Sequence, residues 1–140
     1  MGHAELQLMK SIRVAASERG HRLFRVNIGQ AWCGKSQWSS EFNQRVLTHL
    51  RPFKTGLDRG WPDLLGWFIH QISPSPPIFM GIECKTGNLK LSKDQIRIKK
   101  MFEMHGCIHG VCYSVEDFLS VLRKANQKYA CKSKFPTEPP

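Results

Sequence analysis

No run of about twenty apolar residues occurs in the chain, and that is the length a helix needs to cross a bilayer. A helical membrane span is therefore not expected. No positively charged, apolar leader of the secretory kind opens the sequence, so a cytoplasmic location is expected. The five cysteines, at positions 33, 84, 107, 112 and 131, lack the regular spacing of a disulfide framework and fit a reducing compartment better. There is no internal repeat and no linker of domain scale. Acidic residues are scarce, 11 Asp and Glu against 21 Lys and Arg, and the formal net charge of +10 implies a polyanionic partner or an acidic surface. The 140 residues suit one domain with a modest core, expected over residues 4–126, with an irregular, basic and proline-rich tail over 127–140.

Against this background two segments carry chemistry. Ile78-Phe79-Met80-Gly81-Ile82-Glu83-Cys84-Lys85 has the composition of a buried strand. Alternation puts Ile78, Met80, Ile82 and Cys84 on one face, toward a core, and Glu83 and Lys85 on the other with Gly81. An acid and a base on an apolar strand are costly to bury unless paired or bound to a metal. The second segment is Gly60-Trp61-Pro62-Asp63-Leu64-Leu65. Twenty residues separate Asp63 from Glu83, room for a strand, a turn and a return strand, with Ser73 to Pro77 as the connecting loop. Asp63 and Glu83 are then expected on antiparallel neighbours near one end of a sheet. The competing reading of Glu83 and Lys85 is a surface salt bridge.

Two helices extend the pattern. Between Glu5 and Arg19 the helical period puts Glu5, Leu8, Met9, Ile12, Ala15 and Ala16 on one stripe, and Gly20 ends it. Glu5 thus points inward, although an acid in the first turn also complements the helix dipole. A second helix opens at Ser92-Lys93-Asp94-Gln95, a capping box, and ends before Gly106. Its inner stripe is Leu91, Gln95, Ile98, Phe102 and His105, while Lys93, Arg97, Lys99, Lys100 and Glu103 face out. Gln95 aims a polar group at the sheet, with the helix cap as its rival role.

Glu5, Arg25-x-Asn27-x-Gly29, Gly60-x-Pro62-Asp63, Glu83-x-Lys85 and Ser92-x-x-Gln95, in that order, resemble the VRR-NUC branch of the PD-(D/E)xK nucleases over roughly residues 4 to 116. The compact length is similar to its stand-alone viral and bacterial members. The resemblance implies an α/β, restriction-endonuclease-like fold with a mixed central sheet flanked by helices. It also implies a metal-dependent endonuclease that leaves a 5′-phosphate. Asp63, Glu83 and the backbone carbonyl of Cys84 would hold Mg²⁺ or Mn²⁺, since oxygen donors suit hard cations. Lys85 would orient water or stabilise phosphate charge, Glu5 would bind a metal-linked water or a second ion, and Gln95 would hold the lysine or the water.

The remaining map places a strand at 21–28, a long loop at 29–43, strands at 44–54, 63–70, 78–85 and 108–113, and a last helix at 115–126 capped by Ser114. Lys35, Lys54, Arg59, Lys90 and Lys93 flank the expected site and are candidates to track phosphates or are plain solvated charges. Trp32, Trp38 and Trp61 could stack on unpaired bases or wedge a junction, or serve packing or a subunit contact, and Arg25 and Asn27 are expected to brace the loop or the site rather than read bases. His105-x-Cys107-x-His109-x-x-Cys112 matches no common zinc spacing, and a strand there splays alternate residues apart. His21, His49 and His70 have ordinary surface or core roles. The partner expected is DNA, with a homodimer acting on branched substrates such as four-way junctions. The rivals are a non-catalytic DNA-binding or assembly module and a sequence-specific restriction-type nuclease.

Overall fold

The structure, a computed structural model, describes residues 2–26, 30–54, 56–70 and 76–130. Along the chain it forms α1 (His3–Glu18), β1 (Arg22–Arg25), β2 (Gln30–Ser39), β3 (Gln44–Lys54), β4 (Leu64–Phe68), β5 (Ile78–Cys84), α2 (Lys93–Met104), β6 (Ile108–Cys112) and α3 (Val115–Ala130). These fall into two compact units, residues 27–59 and the remainder. Among the described residues no helix is long and apolar enough to cross a membrane.

The larger unit is built on a mixed four-stranded sheet of order β1-β4-β5-β6. β1 and β5 pair antiparallel with β4, and α2 carries the chain over to β6, parallel to β5. The strands' even periodicity sorts the sheet into two faces. Met80, Ile82 and Cys84 join Leu64, Phe68 and Cys112 in a core closed by Met9 and Ile12 of α1 and by Phe118, Leu122 and Ala125 of α3. On the opposite face α2 lays Phe102 against Phe79, His109 and Trp61. β5 is thus covered on both sides, which is why it reads as a nearly unbroken apolar run.

Two glycines allow α2 to lie this close. A Cβ on Gly81 would meet the Phe102 ring at 2.7 Å and Pro62 at 2.8 Å, and one on Gly60 would meet the Asp94 backbone at 2.6 Å. Gly60 also has φ +96, a left-handed conformation that other residues rarely adopt.

The smaller unit departs from expectation. Residues 29–43 were expected as a loop, but Gln30–Ser39 is a strand paired antiparallel with Gln44–Lys54, with a register shift between Cys33 and Lys35. The ribbon leaves Trp32, Trp38, Phe42, Leu47, Leu50 and Phe53 with half or more of their surface exposed. A ribbon with neither face buried imposes no alternation on its sequence, so the period that identifies strands is missing.

Element ends shift as well. The strand expected at 21–28 is confined to Arg22–Arg25, with 27 and 28 outside the described residues, and that expected at 63–70 spans only Leu64–Phe68. The expected loop at 73–77 lies outside the described residues except Pro76 and Pro77. α3 starts as expected, Ser114 Oγ accepting the Asp117 N–H at 3.1 Å. It runs to Ala130 rather than 126, so the expected tail over 127–140 begins inside a helix. Tyr129 keeps the last turn down through its hydroxyl, which donates to the Gly106 carbonyl.

Candidate active site

Asp63 sits in the bend just before β4 rather than within the strand, and Glu83 is the penultimate residue of β5. Leu64 pairs with Ile82, so the antiparallel register brings the two acids to the same end of the sheet. Asp63 is fixed there by its side chain, whose Oδ2 accepts the Cys84 N–H at 2.8 Å, while its carbonyl accepts the Val26 N–H at 2.8 Å. A residue's N–H and carbonyl point to the same side of a strand, so the Cys84 carbonyl also turns toward Asp63.

Glu83 is buried, its side chain 3% exposed, and Lys85 Nζ lies 2.8 Å from its Oε1 with a side chain 13% exposed. The ion pair is therefore interior, not the surface bridge weighed from the sequence. The same Oε1 accepts a short hydrogen bond from Nε2 of Gln95. Gln95 performs both of its rival roles at once. Its Oε1 accepts the Ser92 N–H at 2.9 Å, and Ser92 Oγ accepts the Gln95 N–H at 3.2 Å, completing the capping box. It holds Glu83 rather than Lys85.

The carboxylates are charged at a cost. Burial raises the Asp63 pKa above the usual carboxylate value, opposed by the Cys84 N–H and reinforced by the negative charge of Glu5. Burial also pushes Glu83 up to about 7, against the hydrogen bond from Lys85 and with the charges of Asp63 and Glu5 adding to it. Glu5, partly buried on α1, thus acts on both acids through its charge. Among the described residues no three Asp, Glu, His or Cys side chains come together as a metal-binding cluster. The groups that could serve as donors are the two carboxylates and the Cys84 main-chain carbonyl. Buried acids that repel one another and share one lysine are relieved by a divalent cation, and oxygen donors fit Mg²⁺ or Mn²⁺. Oδ1 of Asp63 and Oε2 of Glu83 are the oxygens that the bonds above do not use.

Other expected participants are distributed unevenly. Arg25 acts on Asp63 through its positive charge, while Asn27 and Gly29 lie outside the described residues. Lys90 and Lys93 are exposed at the approach to α2. Lys35, Lys54 and Arg59 belong to the smaller unit, where all three are exposed. Trp61 is a packing residue, edge-on to Phe102 at 5.8 Å. His21 is a core histidine that stacks on Phe68 at 4.8 Å and accepts the Ile69 N–H at 3.2 Å. Cys112 enters the core and His109 the α2 face, so β6 does splay the cysteine and histidine apart. Sequence reasoning missed the Cys84 N–H that anchors Asp63 and the Tyr113 hydroxyl that donates to the Leu89 carbonyl at 2.7 Å, tying down the loop before α2. Neither bond leaves a local signal.

The VRR-NUC domain family matches residues 5–116, well over half of the chain and the whole of the arrangement described above. No curated protein matches the chain.

Proposed function

We propose, on the premise that the chain belongs to the VRR-NUC family of nuclease domains, that it is a metal-dependent endonuclease hydrolysing phosphodiester bonds in DNA. The observation that carries this reading is the convergence of Lys85 and Gln95 on one oxygen of buried Glu83, with Asp63 at the same end of the sheet. Mg²⁺ or Mn²⁺ held by Asp63, Glu83 and the Cys84 carbonyl would supply Lewis-acid activation of the phosphate and of the attacking water. Gln95 and the Cys84 N–H fix the two carboxylates, so that neither must reorganise when substrate arrives. Lys85 holds positive charge beside the scissile phosphate and orients water. Glu5 adds negative charge that favours cation binding and accepts from a water at the edge of the site. Lys90 and Lys93 at the start of α2, and Lys35, Lys54 and Arg59 in the other unit, track phosphates.

The substrate we propose is branched DNA, such as a four-way junction, cut by a homodimer in the cytoplasm. The β2–β3 ribbon supports this. Six large apolar side chains with half or more of their surface exposed are unusual on a monomer, and an isolated two-stranded ribbon is marginal in water. A two-fold partner covers such a surface and supplies the second site needed for paired incisions. The experiment is a panel of labelled duplex, flap, splayed-arm and four-way substrates with Mg²⁺ or Mn²⁺, combined with light scattering. Metal-dependent cutting with preference for the junction by a dimer is expected. A monomer that cuts all four equally would contradict selectivity and dimerisation, and no cutting with either metal would contradict the enzyme.

A further inference from the structure

β6 is the outer strand of the sheet and is bonded to β5 on one side only. The Lys85 N–H donates to the Cys112 carbonyl at 2.9 Å, which fixes the phase of the strand. Main-chain groups alternate in direction, so Ile108, Gly110 and Cys112 turn theirs to β5, and His109 and Val111 turn N–H and carbonyl outward to the open edge. A cavity of about 420 Å³ lies along this edge, within the size range of ligand sites.

Two helices wall the groove, and its excess positive charge comes from α3. Lys99 and Glu103 line it from α2, and Lys124 and Lys128 from α3. Glu103 lies 3.9 Å from Lys99, and among the described residues no carboxylate pairs with Lys124 or Lys128. An anionic ligand is the one that complements this charge. A nucleic-acid backbone would satisfy the ammonium groups but offers no regular donors to the His109 and Val111 carbonyls. A second copy of β6 would offer those donors, yet two-fold pairing would set each lysine against its own counterpart. An extended acidic peptide satisfies both demands, because its main chain completes the ladder and its carboxylates meet the lysines.

We infer that the β6 edge is a docking strand for an acidic, extended segment of a partner protein, which adds to the sheet as a fifth strand. Alternate side chains of that segment face α2 and α3, so its carboxylates stand on the face toward Lys124 and Lys128. This surface is separate from the nuclease reading and does not depend on it.

The test uses the isotope-labelled full chain and an acetylated, amidated octapeptide of Glu, Thr and Val with its acids on one face. Titration is expected to shift the His109 and Val111 amide signals and slow their hydrogen exchange. Replacing Lys124 and Lys128 by Ala should weaken binding by about tenfold. Two N-methylated versions of the peptide, blocked on one edge or the other, separate a ladder from simple charge attraction and need no protein variant. One should lose binding and the other keep it. Equal binding by both, or no response of His109 and Val111 at millimolar peptide, would overturn the inference. So would a DNA duplex shifting those amides where the peptide does not.

Discussion

Gln95 links the start of α2 to Glu83 through the two ends of one amide. Its Oε1 accepts the Ser92 N–H, and its Nε2 donates to Oε1 of Glu83. The helix cap therefore sets the angle of the side chain that orients the acid. Capping and site geometry are one device, and they can be separated by choosing which end to break.

Ser92→Ala removes only the cap. It should lower stability by about 1 kcal/mol and leave most of the cleavage rate. Gln95→Ala removes both contacts, and its rate constant for cleavage should fall by about 10- to 100-fold with substrate affinity little changed. Thermal unfolding together with single-turnover cleavage distinguishes them. A Gln95→Ala protein that cuts at the wild-type rate makes Gln95 a capping residue alone.

Gly81→Ala should act on the same geometry from below. The added methyl meets Phe102 and Pro62 inside 3 Å, so α2 must shift away from the sheet. Overpacking of this kind costs about 1–3 kcal/mol, and Gln95 should lose its grip on Glu83. A variant with both wild-type stability and wild-type cleavage would show that α2 has room the structure does not indicate.

Lys85→Ala should abolish cleavage while Mn²⁺ affinity, measured by calorimetry, stays the same or rises. On the proposed reading the ammonium, 2.8 Å from Glu83, would compete with a cation for its charge and would not itself be a ligand. Normal metal binding with normal cleavage would reduce Lys85 to a structural ion-pair partner.

The parts of this site that the sequence revealed are those set by local rules. Ser92 and Gln95 stand at capping-box spacing, and Gly81, Glu83 and Lys85 follow one strand's alternation, so both were legible. The strand order near Asp63 followed from chain length between Asp63 and Glu83. What stayed hidden depends on distant partners or on missing burial. The Cys84 N–H reaches Asp63 across strands, and the Tyr113 hydroxyl reaches Leu89 across 24 positions. The ribbon around Trp32 and Trp38 has no inner face, so its strands carry no alternating pattern. The last turn of α3 was missed because Gln127 and Lys128 are polar and were placed in the tail expected over 127–140, whereas Tyr129 anchors that turn to Gly106.

Opposed titrations should shape stability in the presence of a chelator. Glu83 is raised from 4.5 to about 7, so the folded state binds the extra proton between these values. Its contribution is present below about pH 4.5 and is lost as the pH rises through about 7. His109 is lowered from 6.5 to about 4, chiefly by burial and then by the charge of Lys99. Its contribution is present above 6.5 and is lost as the pH falls through about 4. The two slopes oppose each other between 4.5 and 6.5. Glu83→Gln should therefore uncover a stability that rises with pH across that window. The slope should stay below about 1.4 kcal/mol per pH unit, the limit for one proton, and Asp63, also raised by burial, works against it. Denaturant unfolding at several pH values checks this, and a flat profile for Glu83→Gln would contradict the assignment to His109.

The most direct measurement is cleavage of labelled four-way and flap DNA by the wild type, Asp63→Asn and Glu83→Gln, with Mg²⁺, with Mn²⁺ and with chelator. Binding of the same DNA is followed in parallel. Both carboxylates are assigned to the cation and neither to DNA. The account predicts metal-dependent cutting by the wild type, its loss by at least about a thousandfold in either variant, and DNA affinity largely retained. Near-wild-type turnover by a folded Asp63→Asn or Glu83→Gln protein would contradict it.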